Sequence, residues 1–159
     1  MATEPLEIAL SRRLTAPGLT LATAESCTGG LLADRITDMP GSSRYFLGSI
    51  VVYAAALKEK ILGVSPATIH EHTVYSAEVA REMAAGVRRV TGADIGVGVT
   101  GIAGPDGGTP ERPIGLVFIA VETPSAARVE RFQFQGDRSS IKEQAAEQAL
   151  ALVIQSVTQ

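Results

Sequence analysis

The sequence predicts a three-layer α/β/α sandwich built around a mixed sheet. As far as Gly101, short apolar runs alternate with amphipathic segments, the pattern of parallel strands joined by helical crossovers. Beyond that point, two apolar segments flank Pro124-Ser125 and predict an antiparallel hairpin. A length of 159 residues fits one domain, which we place over 1–159, and no internal repeat or linker interrupts it.

The first elements are a helix, a strand and a second helix. Apolar residues at helical spacing predict a helix over Thr3–Thr15, with Thr3 as the N-cap and Pro5 in the first turn. Leu19–Ala24 is a short strand candidate that runs into a Ser-Cys-Thr-Gly-Gly turn. The helix after this turn is expected to end near Met39–Gly41.

The central segment predicts a strand and two helices. Gly48–Tyr53 is continuously apolar, which favours a strand buried on both faces. The sequence AAALKEKIL follows as a short helix closed by Gly63. Ser76 is suited to cap a helix over Ala77–Val90, which has acidic residues early and basic residues late.

The last third contains the predicted hairpin and a long loop. ADIGVGVTG reads as a buried strand that ends in the glycine- and proline-rich loop Gly101–Pro113. IGLVFIAVET and RVERFQFQG form the two strands of the hairpin. Long ordered loops in compact domains are often functional, so this loop is a candidate part of a site.

The final helix is predicted from a capping pattern. Ser140 is expected to open it, Glu143 completes a capping box three residues later, and the helix runs to about Val157. The hairpin and this helix together complete the layered domain.

Composition narrows the classes of function. Hydrophobic residues make up 45% and charged residues 19%, without an apolar run long enough for a membrane span or a secretory leader pattern, so we expect a soluble, cytoplasmic protein. The net charge of -3 predicts neither nucleic acid nor an anionic membrane as a partner. Because Cys27 is the only cysteine, an intramolecular disulfide and a cysteine-built zinc site are excluded.

Ser26 lies where a strand turns into a helix, and two interpretations stay open. Its hydroxyl is either an ordinary N-cap or a nucleophile on a tight turn whose backbone N–H groups form an oxyanion hole. Gly29 and Gly30 would let a substrate approach the backbone closely. Cys27 is a rival nucleophile, or else a small core residue.

A serine nucleophile needs a base. His70 and His72 lie in ATIHEHTV, which reads as a solvated loop without a third metal ligand, so we expect no metal and no cofactor. Lys58 is the other candidate, because partial burial lowers the pKa of an amine and allows it to act as a neutral base. It could equally be a surface charge.

The glycine-rich loop supplies successive backbone amides of the kind that hold phosphate. It is not a Walker loop, and the literal G-x-G-x-x-G at Gly96, Gly98 and Gly101 lies inside a strand with no helix after it. Arg138, just ahead of the last helix, either adds a guanidinium to a phosphate or is a solvated charge.

These segments together resemble the C-terminal domain family of the competence- and damage-inducible protein CinA, whose stand-alone members include nicotinamide mononucleotide deamidases. The resemblance extends from about Leu6 to Val157 and depends on five motifs in order: AESCTGG ending at Gly30, GSSRYFLGSIVVY at Gly41–Tyr53, TGIAGPDGG at Thr100–Gly108, RPIGLV at Arg112–Val117 and GDR at Gly136–Arg138.

The resemblance implies a three-layer domain, commonly dimeric, that hydrolyses nicotinamide mononucleotide to nicotinate mononucleotide and ammonia without a metal. Carried over by motif, Ser26 is the nucleophile, and Tyr53 and Lys58 handle protons. The small-molecule nucleotide is expected to contact Thr28, Gly29, Gly30, Thr100, Gly101, Gly104, Gly107, Gly108 and Arg138.

The chain departs from the family pattern at two places. Family members usually read Tyr-Ser-Asn-x-x-Lys where this chain has YAAALK, so Ala54 and Ala55 replace polar residues, and Thr100 replaces a serine. These changes leave two alternatives open: a module that binds a nucleotide or a partner with weakened catalysis, and an enzyme that hydrolyses another amide.

Overall fold

A five-stranded mixed sheet, in the order β2-β1-β3-β4-β5, forms the middle layer of the computed structural model, which describes residues 3–158. The predicted domain limits of 1–159 therefore extend slightly outside the described residues. The strands are β1 Leu21–Glu25, β2 Phe46–Val51, β3 Ile95–Gly101, β4 Leu116–Glu122 and β5 Ala127–Gln133. The helices are α1 Leu6–Thr15, α2 Leu31–Thr37, α3 Ala55–Leu62, α4 Pro66–His72, α5 Ala77–Thr91 and α6 Arg138–Thr158.

Helices cover both faces of the sheet, which confirms the predicted sandwich. Helices α1, α2 and α6 pack together on one face over an apolar core that includes Leu10, Leu14, Ile36 and Leu150. Helix α5 lies across the other face, with α3 and α4 packed against it. None of the helices within residues 3–158 is long and apolar enough to cross a membrane.

Strand β1 lies between two parallel neighbours, and this arrangement creates a crevice at one edge of the sheet. Glu25, at the end of β1, pairs with Val51 of β2 on one side and Val99 of β3 on the other. The connection to β2 passes through α2 on one face, whereas the return to β3 passes through α3–α5 on the other. Ligands in open α/β sheets bind at such a switch point, beyond the carboxyl ends of the strands.

The β4–β5 hairpin is confirmed, and so is the cap of α5. Strand β4 is antiparallel to both β3 and β5, which makes the sheet mixed. The Ser76 side chain accepts a hydrogen bond from the Val79 N–H, as the capping pattern predicts. Gly63 closes α3 in the left-handed conformation.

Two other predicted helix starts are wrong. Helix α1 begins at Leu6 with Pro5 in the N-cap position and no side-chain cap, so Thr3 caps nothing. Helix α6 begins at Arg138 rather than Ser140, because the Asp137 carboxylate accepts the Ser140 N–H at 2.9 Å. An aspartate is as good a cap as a serine, and the capping-box spacing pointed to the wrong residue.

Two predictions in the central segment also need correction. Strand β2 was expected to be buried on both faces, but it is an edge strand, and Leu47 and Val51 are exposed. An apolar run cannot by itself distinguish a central strand from an edge strand that carries apolar residues. The segment ATIHEHTV is not a loop, because Pro66–His72 form α4, with proline at the first helical position.

The glycines of the literal G-x-G-x-x-G have a packing role. A Cβ on Gly96 would lie 2.2 Å from the Ala84 carbonyl oxygen, and one on Gly98 would lie 2.2 Å from that of Ala80. These glycines let α5 lie directly on β3, which agrees with rejecting a dinucleotide motif.

Candidate active site

A cavity of about 140 Å³ lies at the carboxyl ends of β1, β2 and β3. Seven of the residues that the sequence singled out line this cavity: Ser26, Cys27, Tyr53, Lys58, Gly101, Gly104 and Arg138. The structure thus brings the serine, the lysine and the start of the glycine-rich loop into one concavity, as the common edge of parallel strands predicts.

Ser26 and Lys58 are in direct contact at the bottom of the cavity. The Lys58 Nζ lies 3.0 Å from the Ser26 Oγ, 2.8 Å from the Val52 carbonyl oxygen and 3.2 Å from the Tyr53 carbonyl oxygen. Ser26 is 5% exposed and Lys58 is 1% exposed, although both line the cavity. The serine directly follows strand β1, and the lysine lies in the first turn of α3.

The surroundings of Lys58 favour the neutral amine. Burial lowers the pKa of Lys58, and within residues 3–158 its ammonium forms no ion pair with a carboxylate. A neutral amine has two N–H groups and one lone pair. In the structure Nζ donates to the Ser26 Oγ and to the carbonyl oxygens of Val52 and Tyr53. Once the amine is neutral, the two carbonyls can accept both remaining N–H groups, and the lone pair then faces the Ser26 hydroxyl. This geometry suits proton transfer from Oγ to Nζ.

Cys27 is the less suitable nucleophile of the two neighbours. Burial raises the pKa of the Cys27 thiol to about 12, so the thiol stays protonated at neutral pH. No basic side chain within residues 3–158 forms a hydrogen bond with it. Its position in the cavity wall is that of a small buried residue.

The turn after Ser26 offers fewer free amides than the sequence predicts. The Gly29 N–H donates to the Ser26 carbonyl oxygen and the Gly30 N–H donates to the Glu25 carboxylate, so neither is available to a ligand, and neither glycine lines the cavity. Their positive φ angles of 60° and 104° explain why glycine occupies both positions. The amides of Cys27 and Thr28 have no partner in the described part of the chain.

Cys27 is therefore the better oxyanion donor, because it directly follows Ser26 and lines the cavity, whereas Thr28 does not line it. Ala103 and Gly104, from the glycine-rich loop, also line the cavity, and their amides are free of hydrogen bonds to any described residue. Donors from two separate segments can share the stabilisation of a developing oxyanion.

Glu25 holds the turn after Ser26 in place, a role that was not predicted from the sequence. Its fully buried carboxylate accepts the Thr28 hydroxyl at 2.7 Å and the Ser49 hydroxyl at 2.8 Å. It also accepts the N–H groups of Gly30, Leu32 and Ala33. The carboxylate thus caps α2 from within the core, where its charge is satisfied by hydrogen bonds and by the positive end of the helix.

We expect Glu25→Gln to destabilise the protein by about 3 kcal/mol, because the amide NH₂ that replaces one oxygen would face N–H donors in a buried site. Urea unfolding measures this loss. Asp94→Asn is the matched control, since Asp94 accepts the backbone N–H and the hydroxyl of Thr20 in a less buried position, and it should cost about 1 kcal/mol. Equal losses in the two variants would contradict the assigned role of Glu25.

Tyr53 and Arg138 meet at the rim of the cavity. The Arg138 Nη2 donates to the Tyr53 hydroxyl at 3.0 Å, and Nη1 donates to the Gly104 carbonyl oxygen at 2.6 Å. Tyr53 is 64% exposed, and no hydrogen bond joins its phenol to Ser26 or Lys58 within the described residues. The Ser26–Lys58 contact is direct, so a proton can pass between them without a phenol relay.

Several predicted contact residues do not line the cavity, namely Thr28, Gly29, Gly30, Thr100, Gly107 and Gly108. The Thr100 hydroxyl donates to the Val74 carbonyl oxygen at 2.7 Å and so ties β3 to the segment before α5. A Cβ on Gly108 would lie 2.8 Å from the Ile114 side chain. These groups are used in packing and in internal hydrogen bonds.

Several residues of the cavity wall were not predicted from the sequence. Val74, Tyr75, Ile102, Ala103 and Asp106 line it beside the predicted residues. Ile102, Ala103 and Asp106 belong to the TGIAGPDGG motif, so their place in the motif was an available signal. Val74 and Tyr75 follow α4, a helix that was not predicted.

The two histidines lie away from Ser26. His72 lies in a separate depression beside Tyr75 and Arg112, between the start of α5 and the β4–β5 hairpin, and His70 is exposed. No group of three or more metal-ligating side chains occurs in residues 3–158.

The fold and the site together define an α/β domain with a buried serine–lysine pair at a sheet switch point. Residues 3–157 match the family model of the CinA C-terminal domain. The chain belongs to this family.

Curated relatives of this chain carry names of the same family. A CinA-like protein of Citrifermentans bemidjiense is 52% identical over 139 residues, which cover 87% of this chain and 34% of the relative. The chain thus spans about a third of the length of the curated relatives it matches.

Solved structures match over most of their length. The competence/damage inducible protein CihA of Agrobacterium tumefaciens is 34% identical, with a TM-score of 0.92 and complete coverage of both chains. A CinA superfamily protein of Escherichia coli is 35% identical, with a TM-score of 0.91, covering 94% of this chain and 87% of that one.

Proposed function

We propose that this protein is a serine amidohydrolase that converts nicotinamide mononucleotide to nicotinate mononucleotide and ammonia. The observation that carries the proposal is the 3.0 Å contact between the Ser26 Oγ and a buried lysine amine that forms no ion pair with any described carboxylate. Such a pair provides a nucleophile and its base without a metal or cofactor. The substrate is the one that the family resemblance implies.

The first half of the reaction forms an ester. Lys58 takes the proton of Ser26 as Oγ attacks the carboxamide carbon, and the carbonyl oxygen becomes an oxyanion facing the amides of Cys27 and Ala103. The Lys58 ammonium then protonates the amide nitrogen. The C–N bond breaks, ammonia leaves, and the nicotinoyl group remains attached to Ser26.

The second half releases the acid. A water molecule takes the position left by ammonia, gives a proton to Lys58 and attacks the ester carbon. The ester bond breaks and the proton passes from Lys58 to Oγ, so nicotinate mononucleotide forms as the carboxylic acid and loses its remaining proton to the solvent as it leaves. The protons exchanged with Ser26, the leaving nitrogen and the water all pass through the Lys58 nitrogen, which explains why that nitrogen needs a lone pair and a reduced pKa.

The size of the cavity fits the reacting end of this substrate. A cavity of about 140 Å³ is comparable with the roughly 150 Å³ apolar cavity that holds a benzene ring in another protein. The pyridine ring can therefore enter, and the ribose and phosphate must extend over the rim, where Arg138 retains N–H groups for a phosphate oxygen.

An ammonia-release assay with purified protein tests the proposal. Nicotinamide mononucleotide should yield equal amounts of ammonia and nicotinate mononucleotide, the latter identified by mass. If ammonia is released from other carboxamides but not from nicotinamide mononucleotide, the protein is an amidohydrolase with a different substrate. Tight binding in calorimetry without turnover would instead favour the weakened binding module.

The departures at Ala54 and Ala55 bear on that alternative. Ala54 is the N-cap residue of α3 and has no capping side chain, and neither alanine lines the cavity. A serine at residue 54 would be in position to cap the helix. The change therefore removes stabilisation of α3 and leaves the Ser26–Lys58 contact in place, which supports the enzyme over the binding module.

We also propose that the partner of this chain is a second copy, as the resemblance implies. The outer edge of β2 is unpaired within the described residues, and Leu47, Val51, Leu57 and Ile61 are exposed along β2 and α3. Two copies could pair these edges symmetrically and bury the apolar side chains.

Light scattering tests this pairing. Leu47→Lys should lower the mass from dimer to monomer, because a charge on an edge strand opposes pairing. Val90→Lys is the control, since Val90 has the same 50% exposure as Leu47 but lies on α5. A wild-type monomer, or equal effects of the two variants, would refute the proposed interface.

A further inference from the structure

Asp106 brings an unpaired negative charge to the rim of the cavity. It lies in the glycine-rich loop, lines the cavity beside Gly104, and is exposed. Its carboxylate accepts no hydrogen bond and forms no ion pair with any residue between 3 and 158. Glu25 and Asp94, in contrast, are held by neighbouring donors. The Asp106 charge is thus available to a ligand.

Arg138 brings a positive charge to the same cavity, and the two charges do not neutralise each other. The guanidinium is fixed by the Gly104 carbonyl oxygen and the Tyr53 hydroxyl, which leaves three of its five N–H groups free. No Arg138–Asp106 ion pair occurs among the described residues, although both line a cavity of about 140 Å³. A cavity that keeps opposite charges apart is complementary to a ligand that also carries both.

The lining of the cavity includes residues that suit a flat ring. Val74, Ile102 and Ala103 contribute apolar residues to an otherwise largely polar lining, and Tyr75 contributes an aromatic residue. Aromatic faces attract cations as well as apolar rings. A ring whose carboxamide reaches Ser26 would fill this part of the cavity, with a positive ring nitrogen within a few bonds of the attacked carbon.

We propose that Asp106 is a specificity-determining residue that selects amides on a cationic ring, in ligands that also carry an anionic group for Arg138. The inference depends on the proposed function, and it narrows the substrate to the oxidised, zwitterionic pyridinium nucleotide. The reduced nucleotide has the same amide, ribose and phosphate but a neutral dihydropyridine ring. Asp106 distinguishes the two forms by ring charge alone.

Calorimetry on Ser26→Ala protein, which is expected to bind without turnover, tests this selection with nicotinamide mononucleotide and its reduced form. Adding Asp106→Asn should weaken binding of the oxidised form about fivefold, the upper range for a solvent-accessible charge pair. Binding of the reduced form should be unchanged. High salt should reduce the preference of the Asp106-containing protein, since it screens the same attraction.

Glu111→Gln is the matched control. Glu111 is an exposed carboxylate of the same loop, but it lines the depression beside His72 instead of the Ser26 cavity. Asp106→Glu should restore most of the preference. Equal weakening of both nucleotide forms by Asp106→Asn, or equal effects of Asp106→Asn and Glu111→Gln, would overturn the inference.

The inference and the proposed function fail in different ways. If wild-type protein hydrolyses nicotinamide mononucleotide and Asp106→Asn has no charge-dependent effect, the inference is wrong and the function stands. If the wild type does not hydrolyse it but binds the oxidised form in preference through Asp106, the function is wrong and the inference stands. If the wild type does not hydrolyse nicotinamide mononucleotide and neither form binds, both are wrong.

Discussion

Ser26→Ala is expected to lower ammonia release from nicotinamide mononucleotide by at least about a thousandfold, because removal of a catalytic nucleophile leaves only the contribution of binding and oxyanion stabilisation. The Ser26 Oγ is the atom in contact with the Lys58 amine, and no other hydroxyl within residues 3–158 forms a hydrogen bond with it. Steady-state ammonia release measures kcat and KM. The loss should appear in kcat, while calorimetry should show that the variant still binds the nucleotide.

The neighbouring thiol provides the control for this prediction. Cys27→Ala should retain most of the activity, since burial raises the pKa of the thiol to about 12 and makes it a poor nucleophile. The rival assignment predicts the reverse order of the two variants. Activity that survives Ser26→Ala and disappears in Cys27→Ala would transfer the nucleophile to the cysteine.

Lys58→Met is expected to lower kcat about a thousandfold, within the range for loss of a general base. Methionine fills a similar buried volume without an amine. Lys58→Arg should be equally inactive, because a guanidinium does not lose its proton in proteins and so has no lone pair to accept the Ser26 proton. Substantial activity in the arginine variant would show that charge, and not a lone pair, is what Ser26 needs.

The Lys58 amine should also set the pH dependence of wild-type activity. Burial lowers the pKa of Lys58, so kcat/KM should rise with pH through a value below the ordinary pKa of lysine, as ammonium gives way to free amine. The residual kcat/KM of Lys58→Met, measured over the same pH range, should not show this rise.

The stability of the fold should change with pH in the same direction. Between the lowered pKa of folded Lys58 and the ordinary pKa of the unfolded chain, the unfolded state binds more protons, so the free energy of unfolding rises with pH. Urea unfolding of the wild type and Lys58→Met across this range should show the wild type gaining stability relative to the variant as pH increases. A constant difference would mean that the folded state does not lower this pKa.

Much of the fold could be predicted because its signals are local. Apolar runs of strand length, the Ser76 cap and Gly63 at the end of α3 each depend on a few adjacent residues, and the structure confirms them. One of the errors has an origin that is not local. The prediction of a buried β2 failed because its burial depends on which strands lie beside it, and β2 is at the edge.

The sequence could predict which residues form the candidate site, but it could not predict the contacts that these residues make. Parallel strands place their carboxyl ends at one edge, so Ser26 and the start of the glycine-rich loop could be brought together from the order of elements alone. Sequence patterns could not show that Glu25 occupies the Gly30 amide, or that Gly96 and Gly98 serve the packing of α5. Those facts depend on groups from separate elements.

The amino-acid sequence by itself determined the layered α/β class, the family resemblance and the presence of a serine and a lysine near one sheet edge. The tertiary structure alone decided that the pKa of that lysine is lowered, since its burial and its contacts with Ser26, Val52 and Tyr53 arise only when β1, β2 and α3 pack together. It also placed in one cavity the charges of Asp106 and Arg138, which form no ion pair with any residue from 3 to 158. The physical reason is that propensity is set by neighbours along the chain, whereas pKa, hydrogen-bond occupancy and exposure are set by neighbours in space.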